Sequence, residues 1–334
     1  MPFFLSHTSA LDFWRTVYNP HRSPSTPAPA RSALIPDTPC RLRELRAIQP
    51  PWLENALPAL ENGTIHVLVK RPDLRCGAQR ICSHVAKTPF PEGSFYRYSD
   101  DLFIASPALA FVQLANELDI PCLAALGDEL CGRYSFDPNS PRGIRSRTAP
   151  LTSSACLQTY VTAAATVGLP GASRAQNALR YLSNGAESPM ETKTHLMLSL
   201  PYRYGGYGIP GLLFNQTIAL SPTARTIALR NSCRADILLA NRKLDIEFDG
   251  KHDHTGPDAL ESDRRRTNAL AEMGYEVIEL TSGQINDLAA FERIALRIAA
   301  QAHKRIERKY LGPLPARLNL RNALSAWNNA NGRP

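Results

Sequence analysis

Between Arg234 and His254 the chain reads RADILLANRKLDIEFDGKHDH, which sets ionisable side chains among strand-forming apolar residues. Side chains alternate along a strand, so LDIEFDGK presents an apolar face and, opposite it, an ionic face. The ionic face carries Asp245, Glu247, Asp249 and Lys251. Asp236 opens the preceding run, which is apolar enough to be covered on both sides. An unpaired carboxylate there costs several kcal/mol, so a cation is the simplest compensation.

These carboxylates indicate a divalent-metal site. Two strands placed side by side bring Asp236, Glu247 and Asp249 to one end of a sheet, and we expect Glu191 to approach from a helix. Carboxylate oxygens are the ligands that Mg²⁺ and Mn²⁺ prefer. Lys251, two residues beyond Asp249, would orient a water or neutralise charge on a phosphate. The set is typical of phosphodiester hydrolysis.

The same alternation has a structural interpretation. Glu, Asp and Lys on one face also describe the solvated side of an antiparallel strand, held by cross-strand ion pairs. We expect Asp245 to be such a solvated residue. For Asp236, Glu247 and Asp249 together the metal site is favoured, because the apolar context and the nearby imidazoles point the same way.

The imidazoles belong to the sequence KHDH. One of His252 and His254 is expected near the phosphate, as an acid or hydrogen-bond donor, and the other on the surface; the spacing leaves open which is which. A closed zinc site is not indicated, because KHDH lacks a second ligand pair and the seven cysteines form no CxxC pair. His195, four residues after Glu191 on a predicted helix, fits a surface pair better than a catalytic role.

Composition divides the chain into five segments and predicts an α/β fold. Residues 1–45 are expected to form an arm with a linker, since Pro, Ser and Arg crowd NPHRSPSTPAPARS. Strand-like TIHVLV and DLFIAS among amphipathic helices predict an α+β domain over residues 46–150. Two helices over residues 151–185 would bridge to residues 186–309, where a strand, a crossover helix and a strand predict a small mixed sheet. Residues 310–334 are expected to be a basic tail.

Positive charge is concentrated near the end of the chain. The formal net charge is +8, and residues 301–334 hold seven Lys or Arg and one Glu. Such a segment is attracted to a polyanion such as DNA, or serves only for solubility. Arg266 is expected simply to pair with Asp263. The candidate DNA-contacting residues are Arg264, Arg265, Lys304, Arg305, Arg308 and Lys309.

Two further features bound the class of protein. No run of about 18 apolar residues occurs, which is the length a membrane-spanning helix needs. The opening MPFFLSHTSALDFWR has neither a basic leader nor an apolar core typical of a signal peptide. We therefore expect a soluble, cytoplasmic protein without a membrane partner.

The segments SPMET, RADILLANRKLDIEFDGKHDH and DRRRTNALAEMGYEVIELT resemble a domain of unknown function related to very-short-patch-repair endonucleases, a branch of the PD-(D/E)xK nuclease superfamily. The resemblance covers about residues 186–300 and implies a restriction-endonuclease-like mixed sheet flanked by helices. Ala235 stands where the superfamily has a nominal Pro. If Glu247 is the acidic position of the motif, Asp249 stands where the motif has lysine. If Asp249 is the acidic position, Lys251 is the motif lysine. The register of the motif and the identity of the general base therefore stay open. The motif positions fall on Glu191, Asp236, Glu247, Asp249 and Asp263 with Arg266.

The middle of the chain, TIHVLVKRPDLRCGAQRICSHVAKTPFPEGSF followed by LFIASPALAFVQLANEL, is similar to the body of AbiEi-type antitoxins. In some bacteria such proteins are fused to this nuclease-like domain, which implies a toxin or antitoxin partner. A winged helix, common in these proteins, is not visible in residues 1–45.

The leading hypothesis is therefore a Mg²⁺- or Mn²⁺-dependent DNA endonuclease or nickase. A DNA-binding antitoxin-type regulator with an inactive nuclease-like domain is the alternative, and a structural interaction module without either activity is a third. Cleavage of both strands with one site per chain would favour a homodimer.

Overall fold

The computed structural model describes residues 2–16, 28–30, 35–38, 64–78, 80–138, 140–248, 257–306 and 314–331. Over these ranges the chain forms two mixed sheets and a two-stranded ribbon, flanked by eleven α-helices. The predicted α/β class with mixed sheets flanked by helices is confirmed. Six predicted site residues lie outside the described ranges: Asp249, Lys251, His252, His254, Arg308 and Lys309.

The first sheet contains six strands. They are β1 (Phe3–Leu5), β2 (Ala28–Pro29), β3 (Ile65–Val69), β4 (Ile81–Val85), β5 (Phe95–Ser99) and β6 (Leu102–Ala105). Their order is β2-β5-β6-β1-β3-β4, with β1 parallel to β6 and antiparallel to β3, and β3 parallel to β4. The predicted strands TIHVLV and DLFIAS are β3 and β6.

The N-terminal residues are part of the core, which differs from the expected arm. β1 is buried in the middle of the first sheet, and α1 (His7–Thr16) packs on it with Phe13 and Trp14 buried. The Trp14 Nε1 donates a hydrogen bond to the Ala105 carbonyl oxygen at 2.8 Å. The expectation of an arm rested on the Pro-rich composition after Asn19. The large apolar side chains before Asn19 would be exposed to water in an arm, and burying them in the sheet is more favourable.

Four helices complete the N-terminal half and pack on one another and, with α1, on the sheet. They are α2 (Pro107–Leu114), α3 (Ile120–Leu130), α4 (Ser154–Thr166) and α5 (Ala172–Leu179). The side chains of Ser106, Asp119 and Ser153 cap the first three by accepting backbone N–H groups. The two helices predicted between residues 151 and 185 are α4 and α5. A ribbon of β7 (Tyr134–Phe136) and β8 (Ile144–Ser146) follows α3.

The second sheet contains four strands. They are β9 (Leu213–Ala219), β10 (Ser232–Leu239), β11 (Leu244–Phe248) and β12 (Glu276–Leu280), in the order β12-β11-β10-β9. β9, β10 and β11 are antiparallel, whereas β11 and β12 are parallel and joined through α8 (Pro257–Glu272). The predicted strand–helix–strand crossover is confirmed. Asp236 was expected at the head of its strand, but β10 begins four residues earlier because its alternation extends back to Cys233 and Ala235.

Five further helices surround the second sheet. They are α6 (Pro189–Ser199), α7 (Pro222–Ala228), α9 (Ser282–Asn286), α10 (Leu288–Gln301) and α11 (Leu314–Asn331). The predicted start of α6 is confirmed: the Ser188 hydroxyl accepts the Glu191 N–H at 3.1 Å. The sequence QINDLAAFERIALRIAAQAHKRIERKY predicts one long final helix from residue 284 to 310. That prediction is wrong, because Asp287 takes an extended conformation and its side chain caps a new helix by accepting the Ala290 N–H at 2.6 Å.

The C-terminal residues also differ from the expected basic tail. α11 buries Leu320 and Leu324 in the core of the second sheet, and Trp327 packs against the same core. Spacings of four and three residues put these side chains on one helix face. The guanidinium of Arg321 lies 5.5 Å from the centre of the Phe291 ring, so at least one of the basic residues is part of the packed structure.

Buried polar contacts join the two halves of the chain. The Nδ1 atom of His195, in α6, lies 3.3 Å from Oδ2 of Asp128, in α3, and both side chains are buried. The expectation that His195 forms a surface pair with Glu191 is wrong, since α3 covers this part of α6. Among the described residues, no helix combines the length and the apolar character that crossing a membrane requires.

Candidate functional site

Asp236 and Glu247 meet where β10 and β11 stop pairing. The ladder between these strands runs from Leu239 opposite Leu244 to Ile237 opposite Ile246. Beyond it, side chains replace the backbone carbonyls as acceptors: Glu247 Oε1 accepts the Asp236 N–H at 3.3 Å, and Asp236 Oδ2 accepts the Phe248 N–H at 2.9 Å. The predicted convergence of these two carboxylates is thus present, and both are part-exposed.

A third carboxylate, that of Asp245, lies beside them and is fully buried. Arg266 reaches down from α8, and its Nη2 donates to Asp245 Oδ2 at 2.7 Å and to Glu247 Oε1. Two expectations are therefore wrong: Asp245 is not solvated, and Arg266 pairs with Asp245 and Glu247 rather than with Asp263. The reason is that α8 covers this face of the sheet through Ala269 and Leu270, which leaves Asp245 no water.

Glu191 approaches from the first turn of α6. Its two carboxylate oxygens accept hydrogen bonds from the Ser188 hydroxyl at 2.8 Å, the Glu187 N–H at 2.9 Å and the Asn215 side-chain amide at 2.6 Å. Asn215 lies in β9, next to β10, with a positive φ of 51° that turns its side chain toward α6. These three donors fix the Glu191 carboxylate close enough to Asp236 for the two charges to interact.

The carboxylates raise one another's pKa values. Burial, with a contribution from Asp236, raises the pKa of Glu191 to about 7, against the hydrogen bonds that favour its ionised form. Burial and the neighbouring Glu247 raise the pKa of Asp236 to about 6. The pKa of Asp245 is also raised, by burial and by Glu247, in opposition to Arg266. Arg266 thus contacts two of the four carboxylates, and Arg234 acts on Asp236 without forming an ion pair with it. Among the described residues neither Asp236 nor Glu191 is paired with a cation, so the cluster is short of positive charge.

The donor set is compatible with a divalent cation. Within the described residues, Asp236 Oδ1 and Glu247 Oε2 accept no hydrogen bond, and Asp245 Oδ1 is a buried oxygen without a partner. Mg²⁺ in proteins commonly takes one or two carboxylates, with water and phosphate oxygens completing the octahedron. Asp236 and Glu247 together could supply those two protein ligands, while Glu191 lies near Asp236 without being one of the two.

The candidate DNA-contacting residues fall in two places. Arg264 and Arg265 lie on α8, where Arg264 is exposed and Arg265 pairs with Glu261 one turn earlier. Lys304 and Arg305 lie beyond the end of α10 rather than on it. The Lys304 Nζ donates to the Gly208 carbonyl oxygen and lies 5.5 Å from the centre of the Tyr202 ring, so this cation already has protein partners.

Sequence reasoning missed Asn215, and it misjudged Asp245 and Arg266. Asn215 gives no signal in a single sequence, because its role depends on a positive φ and on the neighbouring helix. Arg266 could have been placed correctly: it precedes Leu270 by four residues and Met273 by seven, which puts it on the inward face of α8. A buried arginine on that face requires a buried acid on the sheet below.

Comparison of the chain with family models, with curated proteins and with solved structures finds no match in any of the three. The nuclease-like and antitoxin-like assignments therefore stay predictions.

Proposed function

We propose that the chain is a Mg²⁺- or Mn²⁺-dependent DNA endonuclease or nickase, built on a restriction-endonuclease-like sheet. The observation that carries the proposal is the convergence of Asp236 and Glu247 from adjacent strands with Glu191 from α6. The positive side chains that contact this cluster do not balance its carboxylates, and the pKa values of Asp236 and Glu191 are raised. A mixed sheet with helices on it, rather than the sequence resemblance alone, supports the proposed fold.

Asp236 and Glu247 would hold the metal ion through the two oxygens that accept no hydrogen bond within the described residues. When bound, the ion supplies a polarised phosphoryl group and a water of lowered pKa. The hydrogen bonds to Glu191 keep its carboxylate in place, and its pKa of about 7 allows it to hold a proton near neutral pH. Asp249 would be a third ligand of the ion, and Lys251 with one of His252 and His254 would act on the phosphate; these residues follow Phe248 in the sequence.

The exposed Arg264 on α8 supports DNA as the substrate. It lies two residues before Arg266, which contacts the cluster, and so points to roughly the opposite side of α8, where a phosphate backbone that passes over the outer side of the helix would contact it. Neutralising a phosphate releases counterions, and binding should therefore weaken as salt is raised. A homodimer would place two such sites on the two strands of a duplex.

The test is nicking of supercoiled plasmid DNA in 5 to 10 mM Mg²⁺ or Mn²⁺, about the range in which weak protein sites for these ions fill. We expect relaxed circles from the wild type and at least a 100-fold lower rate from Asp236→Asn, which keeps the shape of the side chain. Glu272→Gln, exposed in the last turn of α8 and outside the motif positions, is the matched control and should cleave at the wild-type rate. Equal cleavage by both variants would point to a contaminating nuclease.

A second candidate is favoured by the Arg266 contacts. This guanidinium already neutralises Asp245 and Glu247, while Asp236 binds the Phe248 N–H, so the carboxylates have a structural use without a metal. In this case the chain would be a DNA-binding regulator of antitoxin type, with a toxin or antitoxin partner and an inactive nuclease-like domain. It would bind a duplex in a salt-sensitive way without cleaving it, and titration with Mg²⁺ would release no heat.

A further inference from the structure

Three histidines from separate elements meet at one end of the first sheet. His7 begins α1 directly after β1, His66 lies in β3 and His84 lies in β4. β1, β3 and β4 are neighbours in the sheet, and the Ser6 N–H donates to the His66 carbonyl oxygen at 3.0 Å, which brings the start of α1 to β3. In the parallel register of β3 and β4, Leu68 is opposite His84, so His66 and His84 lie on the same face of the sheet.

The ring nitrogens lie at distances that a metal ion can span. One nitrogen from each histidine lies within 4.8 Å of the other two, and His66 Nδ1 is 2.8 Å from His84 Nε2. The His7 ring stacks on the His84 ring with 3.6 Å between centroids. His7 is buried and the other two are half-buried, so the cluster is accessible from one side. Zn–N bonds of about 2.0 to 2.1 Å in a tetrahedral site require nitrogens separated by roughly 3.4 Å.

The first turn of α1 is built around this cluster. His7 has a φ of 50°, in the left-handed region, and its N–H donates to Oε1 of Gln113 at 2.9 Å. Its Nδ1 lies 3.0 Å from the Ser6 hydroxyl, while the Ser9 hydroxyl accepts the His66 N–H at 2.9 Å. A non-glycine residue stays in this region only where its surroundings fix it. The Ser6 contact is to a ring nitrogen and so orients the His7 imidazole, as partners of the second ring nitrogen do in known metal sites, whereas the Ser9 contact holds the His66 backbone.

The three imidazoles are present in the form that binds metals. Burial and the neighbouring histidines lower the pKa of His7 to about 3 and that of His84 to about 4, and burial lowers the pKa of His66. No hydrogen bond or ion pair found within the described residues joins a carboxylate to any of the three rings. Glu117 acts on His66 only at longer range and opposes the effect of burial on its pKa. Neutral imidazoles suit Zn²⁺ and its neighbours in the first transition row, whereas Mg²⁺ prefers oxygen.

We propose that His7, His66 and His84 form a transition-metal site that binds Zn²⁺ through three imidazoles and leaves the fourth position to solvent or to an exogenous ligand. The site joins β1 and α1 to β3 and β4, so its occupation fixes the N-terminal residues to the sheet. It is separate from the carboxylate cluster, which lies in the second sheet and is made of oxygen ligands. The His66–His84 hydrogen bond belongs to the metal-free state and is exchanged for two bonds to the ion.

The test is calorimetric titration of the metal-stripped full chain with Zn²⁺, repeated with Co²⁺ to read the coordination from its absorption spectrum. We expect one equivalent to bind in the wild type, with affinity lowered at least 100-fold in His84→Gln and in His66→Gln. His303→Gln is the matched control, because His303 is exposed and distant in sequence from the cluster. Asp236→Asn should also keep the site, which separates this result from the proposed nuclease activity.

A second measurement guards against variants that fail to fold. Circular dichroism of metal-free His84→Gln should equal that of the metal-free wild type, and Zn²⁺ should raise the melting temperature of the wild type by several degrees but not that of the variant. X-ray absorption at the zinc edge should find three nitrogens and one oxygen at about 2.0 to 2.1 Å. The proposal is overturned if the wild type binds no stoichiometric Zn²⁺ or Co²⁺, or if His84→Gln and His303→Gln bind it equally.

Discussion

Replacing Arg266 by alanine should reveal how strongly the carboxylate cluster depends on its one contacting guanidinium. The side chains of Arg266 and Asp245 are 15% and 0% exposed. The variant therefore leaves the Asp245 carboxyl group buried without its cation, and removing one partner of a buried ion pair costs about 3 to 5 kcal/mol of folding stability. The second partner, Glu247, is 18% exposed, and water can replace part of its contact. We expect a loss of about 3 kcal/mol in the free energy of unfolding at pH 8.

The loss should grow in alkali. Burial and Glu247 raise the pKa of Asp245 to about 9, and Arg266 acts against that rise. Without Arg266 the folded-state pKa is higher still, so the variant stays protonated at a pH where the wild type releases the proton. Each unit of that difference is about 1.4 kcal/mol, so the penalty at pH 10 should exceed the penalty at pH 8 by about 1 to 2 kcal/mol.

Urea unfolding at the two pH values measures both effects. Arg265→Ala is the matched control, since the Arg265 side chain is 42% exposed and, among the described residues, pairs with Glu261 one turn earlier; it should change stability by less than about 0.5 kcal/mol. A loss below about 1 kcal/mol at pH 8, or a smaller loss at pH 10 than at pH 8, would refute the reasoning.

Three further outcomes are expected. Glu191, whose folded-state pKa of about 7 lies above its ordinary 4.5, should make the wild type lose about 2 to 3 kcal/mol of stability as pH rises from about 4.5 to 7. Unfolding free energies of Glu191→Gln from urea denaturation should fall less steeply by that amount, with the contribution of Asp236 remaining; a slope equal to that of the wild type would contradict the assignment. Leu324→Ala should lower the unfolding free energy by about 2 to 5 kcal/mol, whereas the exposed Leu318→Ala should leave it nearly unchanged; equal effects in chemical denaturation would mean that α11 is not part of the core. If DNA binds over α8, Arg264→Ala should reduce the slope of log affinity against log salt by about 1 in fluorescence anisotropy, while Lys304→Ala, whose amine is bound to Gly208, should not.

The sequence predicted the secondary structure of the second half well, because its signals are local. Ser188 and Pro189 mark the start of α6, and alternation in LDIEF and YEVIEL marks β11 and β12. The strand–helix–strand order then restricts β11 and β12 to a parallel pair. The meeting of Asp236 with Glu247 followed from the same alternation in two adjacent strands.

The sequence could not predict which long-range partner each polar group finds. Alternation places Asp245 and Glu247 on one face of β11, but only the packing of α8 decides that this face is buried and that Arg266 covers it. His195 shows the same limit: its partner Asp128 lies 67 residues away in another helix. The three clustered histidines are likewise separated by long stretches of chain and share no motif, so only the order of β1, β3 and β4 brings them together.

Isothermal titration with Mg²⁺ tests most directly whether the carboxylate cluster holds a divalent cation, since imidazoles bind this ion weakly. At pH 8, above the raised pKa values of Asp236 and Glu191, the wild type should take up one or two equivalents, and Asp236→Asn should lose that binding while the exposed Glu272→Gln keeps it. Absence of any Mg²⁺ heat in the wild type, or identical binding curves for the two variants, would contradict a metal site at the end of β10 and β11.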